Sequence, residues 1–386
     1  MTTSALVVAG AVASKWGNGG EAWVRLSWVR GFQQLGFDVY FLEQIHDGAL
    51  VDGQGRPCDL AASANLGYFA EVMKEFHLAD RSCLLHDSGA YWGIAPHLLE
   101  GIAAEAELLV NISGNLSLEP LLDRFRRRVY LDIDPAFTQY WHLQGLLGPA
   151  LDKHDVHFTI GESIGKPYCP IPDAGIRWRA TRQPVILADW PACPSPSCRR
   201  LTTVGSLRGP YGRVEHSGRQ FGLKIHEMRR LAELPRRVEP AMELALKIDP
   251  GDDADRQLLA GSGWRLVDPG SVASRPQEFR TYVQGSDGEF SVAQGIYVET
   301  GSGWFSDRTA RYLSSSKPAI VQDTGIGSHL PVGEGLVTFR TLPEAAAAVN
   351  LVRSDYQNHC RAARQLAEEY LEAGKVVGAM VEQLIP

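Results

Sequence analysis

The stretch Val298-Glu-Thr-Gly-Ser-Gly-Trp-Phe-Ser-Asp-Arg-Thr-Ala-Arg-Tyr-Leu-Ser-Ser-Ser-Lys-Pro-Ala-Ile-Val-Gln-Asp-Thr-Gly325 constrains the fold most, because it reads as strand, small-residue turn, helix, strand and second small-residue turn. Gly301, Ser302 and Gly303 let the backbone approach a ligand closely, and Ser306 or Asp307 is placed to cap a helix running to about Ser314. Such a helix start presents unpaired N–H groups and a partial positive charge, which suits a diphosphate. Pro318-Ala-Ile-Val321 is a short apolar run of the kind buried in a parallel sheet. Asp323-Thr-Gly325 turns the chain at its end, where the ligands of open α/β sheets sit.

The alternation extends in both directions. A strand near Leu6–Ala9 leads through Lys15-Trp-Gly-Asn-Gly-Gly-Glu21 into a helix with Trp23, Leu26, Val29, Phe32 and Leu35 at helical spacing. Gly36 ends that helix and Val39–Leu42 follows as a strand, so residues 4–42 form one βαβ unit. Strands are expected at Cys83–Leu85, Leu108–Asn111, Val129–Ile133 and His157–Ile160, with helices near Leu66–Phe76, Pro96–Ala104, Pro120–Phe125 and Phe137–Leu146. Seven prolines then fall between Pro167 and Pro196, a connector interrupted by one apolar run, Val185-Ile-Leu187. The second half restarts at Leu201-Thr-Thr-Val-Gly-Ser-Leu-Arg208. Strands are expected near Glu243–Lys247, Arg265–Val267, Phe290–Ala293, Ala319–Gln322 and Leu336–Phe339, and helix from Pro343 to Leu384 with a break at Gly374. The fold class is therefore α/β, with two doubly wound, Rossmann-like domains: residues 1–170, a connector over 171–200, and residues 201–370.

At 386 residues with 44% hydrophobic and 22% charged residues, the chain can bury two cores. A net charge of −7 argues against nucleic acid or an anionic membrane as main partner, and Arg126-Arg-Arg128 and Arg229-Arg230 read as solvated helix faces. Ala11-Val-Ala13 imitates a signal-cleavage site, but no basic segment precedes the apolar run, which reads as a buried first strand. No segment reads as a membrane span. The six scattered cysteines read as reduced thiols of a cytoplasmic protein, since Cys193-x4-Cys198 lacks a second pair for zinc.

Specific places in the second half resemble the GT-B glycosyltransferase superfamily. Ser302–Val321 is similar to the family's donor-binding turn, helix and strand, including the proline before the strand. Gly333-Glu-Gly-Leu-Val-Thr-Phe339 followed by Leu342-Pro-Glu-Ala-Ala-Ala-Ala-Val349 is similar to the next strand and helix. Gly161-Glu, Gly205-Ser-x-Arg208, Lys224-x-His-Glu227, Glu289-Phe-Ser-Val-Ala293 and Ser302-Gly-Trp-Phe-Ser-Asp-Arg308 together resemble a group of bacterial glycosyltransferases. The resemblance implies two domains facing across a cleft, a UDP-sugar or similar nucleotide-sugar as donor substrate, no cofactor, and a last helix (371–386) crossing back to the first domain. The chain carries neither two glutamates eight residues apart before the proline nor a His-Cys-Gly motif there, so it leaves the stereochemical outcome open.

Sugar transfer releases a nucleoside diphosphate, so cations and N–H groups must face the growing negative charge. On the donor side the candidates are Gly205, Ser206 and Arg208 past a strand end, Lys224, and the turn Ser302, Gly303, Trp304, Phe305, Ser306 and Asp307. The two aromatics are placed to pack on nucleoside or sugar, and Asp307 to meet hydroxyls. A general base for the acceptor is expected at the strand ends of the first domain, which offer His86, Asp87, Asp134 and Glu162. Gly17, Asn18, Gly19, Gly20 and Glu21 read as a loop lining the acceptor or diphosphate side of the cleft. Asp132-Ile-Asp134 imitates a metal-binding Asp-x-Asp, but it ends a strand whose side chains alternate faces, and no metal is expected. The partners are then the nucleotide-sugar and a sugar or small-molecule acceptor. Two other readings remain open: a nucleotide-sugar epimerase of the same architecture, and a non-catalytic nucleotide-sugar-binding protein.

Overall fold

The computed structural model describes residues 4–148, 150–209 and 211–384. Its first half runs β1 (Ala5–Ala9), α1 (Gly19–Gln34), β2 (Asp38–Ile45), α2 (Ala64–Glu75), β3 (Ser82–His86), β4 (Tyr91–Gly93), α3 (Pro96–Glu105), β5 (Leu108–Ile112), α4 (Glu119–Leu122), β6 (Arg128–Asp132), α5 (Phe137–Leu143), β7 (Val156–Thr159) and β8 (Trp178–Ala180). These strands form one sheet in the order β4-β3-β2-β1-β5-β6-β7-β8, parallel throughout except for β4 on β3. The second half runs β9 (Arg200–Ser206), β10 (Glu215–His216), β11 (Arg219–Gln220), α6 (Lys224–Arg230), β12 (Ala241–Lys247), α7 (Asp253–Gly261), β13 (Arg265–Val267), α8 (Pro276–Gln284), β14 (Gly288–Ser291), α9 (Gly295–Thr300), α10 (Asp307–Ser314), β15 (Ala319–Gln322), β16 (Leu336–Phe339), α11 (Leu342–Ser354), α12 (Tyr356–Tyr370) and α13 (Ala373–Glu382). Its six-stranded sheet is ordered β13-β12-β9-β14-β15-β16 and is wholly parallel, while β10 and β11 make a separate hairpin. The fold is thus α/β with two doubly wound sheets.

Both sheets reverse direction beside their first strand, between β1 and β5 and between β9 and β14. Open α/β sheets bind ligands in the crevice such a reversal leaves at the carboxyl ends of the strands. The short runs Leu6-Val-Val-Ala9 and Ala319-Ile320 are fully buried because helices cover both faces.

Helix α1 begins where the Asn18 side chain accepts from Glu21 N, and Gly36 (φ +88) ends it. Its residues are buried nearly all round because the first sheet lies on one side and α13 and α8 on the others. Val376, Val377, Met380 and Leu384 share an apolar cluster with Leu6, Leu26 and Phe32, each such burial contributing roughly 1.5–3 kcal/mol. The approach is close: a Cβ on Gly31 would lie 2.7 Å from Val377 Cγ2. The connector is no free linker, since Val185 N donates to Leu371 O and Ala373 N to Val185 O, while Trp190 packs edge-on against Trp23.

Three expectations are corrected. The segment at Val298 is helix α9, not a strand, because Gln294 starts it and Gly301, left-handed at φ +57, stops it after six residues. Ile296, Tyr297 and Thr300 are buried at helical spacing. The C-terminal helix breaks at Asp355 and at Leu371–Glu372; Gly374 lies inside the first turn of α13, where Glu372 accepts from Lys375 N. Strand β8 falls at Trp178–Ala180, inside the segment read as connector, so the first sheet extends past residue 170.

Candidate active site

The crevice of the second sheet opens at Gly205. Arg308 Nη1 and Lys224 Nζ lie 3.6 and 3.8 Å from the position a Cβ on Gly205 would take, which places both cations at this strand end. Arg308, at the start of α10, donates to Glu289 Oε1 (2.6 Å), Val204 O (2.7 Å) and Ser291 Oγ (2.5 Å), so it is fixed across β9 and β14. Glu289 is fully buried and its second oxygen, Oε2, has no partner. Lys224, the first residue of α6, is half-buried, and among the described residues no carboxylate pairs with its Nζ. Burial, assisted by Arg308, pushes its amine down to about 7. The arrangement is an amine held beside a strand end in no ion pair among the described residues, with Glu289 and Asp307 opposing the downward shift.

The turn at 301–307 is built differently from its expected role. Gly303 (φ +71) is needed for protein packing, since a Cβ there would lie 2.8 Å from Ser163 N of the first half. Ser302 is buried; its carbonyl accepts from Ser163 N (3.2 Å) and its Oγ from Trp304 N (3.2 Å). Phe305 is 5% exposed and packs within an apolar cluster. Trp304 is half-buried and stacks on Tyr297, centroids 4.7 Å apart. Ser306 occupies the cap position of α10 but makes no side-chain cap, a correction to its expected role. The Asp307 carboxylate lies 3.5 Å from Arg311, and burial raises its pKa. Arg311, 0% exposed, donates to Asp307 O (2.6 Å) and to Ser27 Oγ of α1 (3.1 Å), tying the donor-side helix to the first half.

On the first-half side, the β1/β5 crevice is filled by Arg25, whose Cγ would lie 2.8 Å from a Cβ on Gly10. Arg25 pairs with Glu21 one turn earlier. Asp134, just past β6, feels both of these and sits beside Asp132. Burial and Asp132 together push its carboxyl up to about 7, while a hydrogen bond from Tyr211 Oη (2.9 Å) opposes the shift. Asp132 is itself held by Thr138, Gln139, Thr159 and the Asp134 amide, which makes it a structural anchor of the loop. Gly19 and Gly20 serve the contact between the halves: a Cβ on Gly19 would lie 2.1 Å from Arg275 O, and one on Gly20 3.1 Å from Phe279. Of this loop, Glu21 reaches the charged cluster, while Gly17 and Asn18 shape the start of α1.

The remaining expected residues lie elsewhere. His86 and Asp87 form a local network with Asp47, His46, Gln44 and Ser88 at the ends of β2 and β3. Glu162 accepts both arms of the Arg182 fork (2.8 and 2.9 Å), and Arg182 also bonds His329 O, so this carboxylate braces the contact between the halves. Arg208 reaches the end of β9 beside Gly205 and Ser206, but its fork is committed to Asp252 (2.6 and 2.5 Å) with 42% of the side chain exposed. Sequence reasoning missed Arg25, Tyr211 and Gln294. Arg25 sits inside a helix buried nearly all round, and Tyr211 lies in the irregular excursion that leaves the sheet after β9. Gln294 Oε1 accepts from Lys224 N (2.8 Å), a pairing that no local spacing announces.

No protein-family model and no curated protein sequence matches this chain. Solved structures match it end to end. HepE of Anabaena, solved with UDP-glucose, aligns with a TM-score of 0.61 at 12% identity over 98% of this chain and 99% of that one. An α-glucosyltransferase solved with UDP and a 13-mer DNA containing a HMU base aligns at 0.58 and 10% identity, over 100% of both chains. The pneumococcal O-GlcNAc transferase GtfA, solved with UDP and GlcNAc, aligns at 0.56 and 9% identity over 100% of this chain and 99% of that one. The chain has the GT-B fold. In this GT-B architecture the two crevices described above lie on facing halves, with Lys224 and Arg308 on one and Glu21, Arg25 and Asp134 on the other. Among the described residues no helix is long and apolar enough to cross a membrane, and no cluster of three or more His, Cys, Asp or Glu is arranged to hold a metal ion.

Proposed function

We propose that this protein is a glycosyltransferase that moves a sugar from a UDP-sugar to a hydroxyl of an acceptor held against its first half. The observation that carries the reading is the Lys224 amine: half-buried, in no ion pair among the described residues, and beside Gly205 at the point where the second sheet reverses. A desolvated cation so placed gains most when an anion arrives. Three full-length neighbours of this fold were solved with UDP or UDP-glucose, which favours a uridine diphosphate as that anion.

In this reading the bond between the sugar C1 and the β-phosphate oxygen breaks, and its electron pair stays on the diphosphate. Lys224 and the uncapped amides at the start of α10 stabilise that charge. The acceptor oxygen bonds to C1, and its proton passes to the Asp134 carboxylate, whose pKa near 7 suits a general base at neutral pH. Arg308 keeps Glu289 neutralised and the strand ends in place. Lys224 and the amides carry the diphosphate without a divalent metal. Incubating the protein with UDP-glucose and a panel of sugar and small-molecule alcohols, and measuring released UDP, tests this. Acceptor-dependent release supports transfer; turnover without acceptor points to epimerisation or hydrolysis, and UDP binding without turnover to a binding protein.

A further inference from the structure

Residues 207–209 and 211–223 lie between the end of β9 and the start of α6 at Lys224, and one side chain holds both ends. Gln294 Nε2 donates to Arg208 O (2.8 Å), and its Oε1 accepts from Lys224 N (2.8 Å). The clamp closes only on a glycine: Gly209 has φ +87, and a Cβ there would lie 2.1 Å from Gln294 Nε2. From this base the excursion crosses to the first half. Tyr211 Oη donates to Asp134 Oδ2 at 2.9 Å, with its ring 5.0 Å from Phe137 and 4.7 Å from Trp141. Phe221 and His216 pack on Tyr140 at 5.2 and 5.0 Å, and Gln144 Nε2 donates to Glu215 O. Among the described residues, the bond from Tyr211 is the only one that the Asp134 carboxylate accepts, so its other oxygen is left for a substrate proton.

We propose that Tyr211 is a positioning residue through which an occupied donor site orients Asp134. The proposal rests on the reading of Lys224 as a diphosphate-binding residue. A diphosphate on Lys224 steadies the clamped end of the excursion, and the excursion delivers one hydroxyl donor to one oxygen of the base. Tyr211 touches neither donor nor acceptor in this account. It acts by fixing which lone pair of Asp134 faces the acceptor and by keeping the halves in register. Because linkage is reciprocal, the contact between Tyr211 and Asp134 must in turn favour UDP binding.

The test is UDP affinity, measured by calorimetry on the wild type, Tyr211→Phe, Asp134→Ala and the double variant. Tyr211→Phe keeps the ring against Phe137 and Trp141, and a thermal melt on each variant confirms folding. Each single change is expected to weaken UDP about fivefold or more although neither side chain touches it, and the double variant is expected to be no weaker than the poorer single. Wild-type affinity in Tyr211→Phe, or losses that add in the double, overturns the coupling while leaving the donor site standing. No UDP binding by the wild type overturns both.

Discussion

Arg308 Nε lies 2.6 Å from Glu289 Oε1, a buried ion pair between β9 and β14, and the second oxygen of Glu289 is left without a partner. The pair neutralises itself, so the charge still available beside it is the amine of Lys224. That division of labour sets the first prediction. Lys224→Met should weaken UDP about tenfold or more, as expected for loss of a charge-assisted hydrogen bond of roughly 1.5–3 kcal/mol, whereas Arg208→Ala, already committed to Asp252, should change it less than about threefold. Calorimetry on both variants decides between them.

The pH dependence of Lys224 follows from its amine at about 7 in the fold, against an ordinary value of 10.5. Between those values the unfolded chain holds the proton and the folded chain does not, so this group makes stability rise with pH. Below about 7 both states are protonated, and its cost to the fold is full. Lys224→Met should therefore raise the melting temperature most below pH 7 and leave it unchanged near pH 10.5. UDP, which favours the charged amine, should bind the wild type most tightly below pH 7. Melts and titrations between pH 6 and pH 9 check both signs.

Asp134 behaves in the opposite sense. Its carboxyl at about 7 in the fold, against 3.8 ordinarily, means that the folded chain holds a proton the unfolded chain has lost between those values. Stability from this group is full below about 3.8 and is lost as pH rises toward 7. Asp134→Asn should stabilise the protein at pH 8 and lower transfer by about 10²–10⁴-fold, with the acid limb of the wild-type rate profile falling near 7. Full activity in the folded variant would remove Asp134 from the reaction.

The glycines at the start of α1 predict a mechanical effect. Gly19→Ala places a Cβ 2.1 Å from Arg275 O, a backbone atom that cannot step aside, so the halves must separate. An overpacking cost of roughly 1–3 kcal/mol is expected, with a larger radius of gyration in small-angle scattering. Gly53→Ala, which meets nothing within 4 Å, serves as the control.

The parts of this architecture that follow from local pattern were legible in the sequence. Buried strands such as Leu6–Ala9 and Ala319–Gln322 announce themselves as apolar runs, and the stripe Val376, Val377, Met380 and Leu384 demands a partner surface. At Val298 pattern misled, because a left-handed Gly301 ends a six-residue helix too short to show a period. Among candidate residues, Lys224 and Asp307 stand in the charged cluster with Gly205 beside them, while two of the glycines chosen for closeness to a ligand lie close to protein. Gly303 lies against Ser163, and Gly19 against Arg275. A glycine records that something approaches the backbone and not what approaches it. Tyr211 and Gln294 carried no signal, since their partners are 77 and 86 residues away in the chain.

The most direct measurement is a structure of the protein with UDP at pH 6.5 in the absence of divalent metal. The account predicts the diphosphate beside Gly205, with a phosphate oxygen within hydrogen-bond distance of Lys224 Nζ and the uracil on the second half. UDP bound away from Lys224, or bound only when magnesium or manganese is supplied, would contradict it.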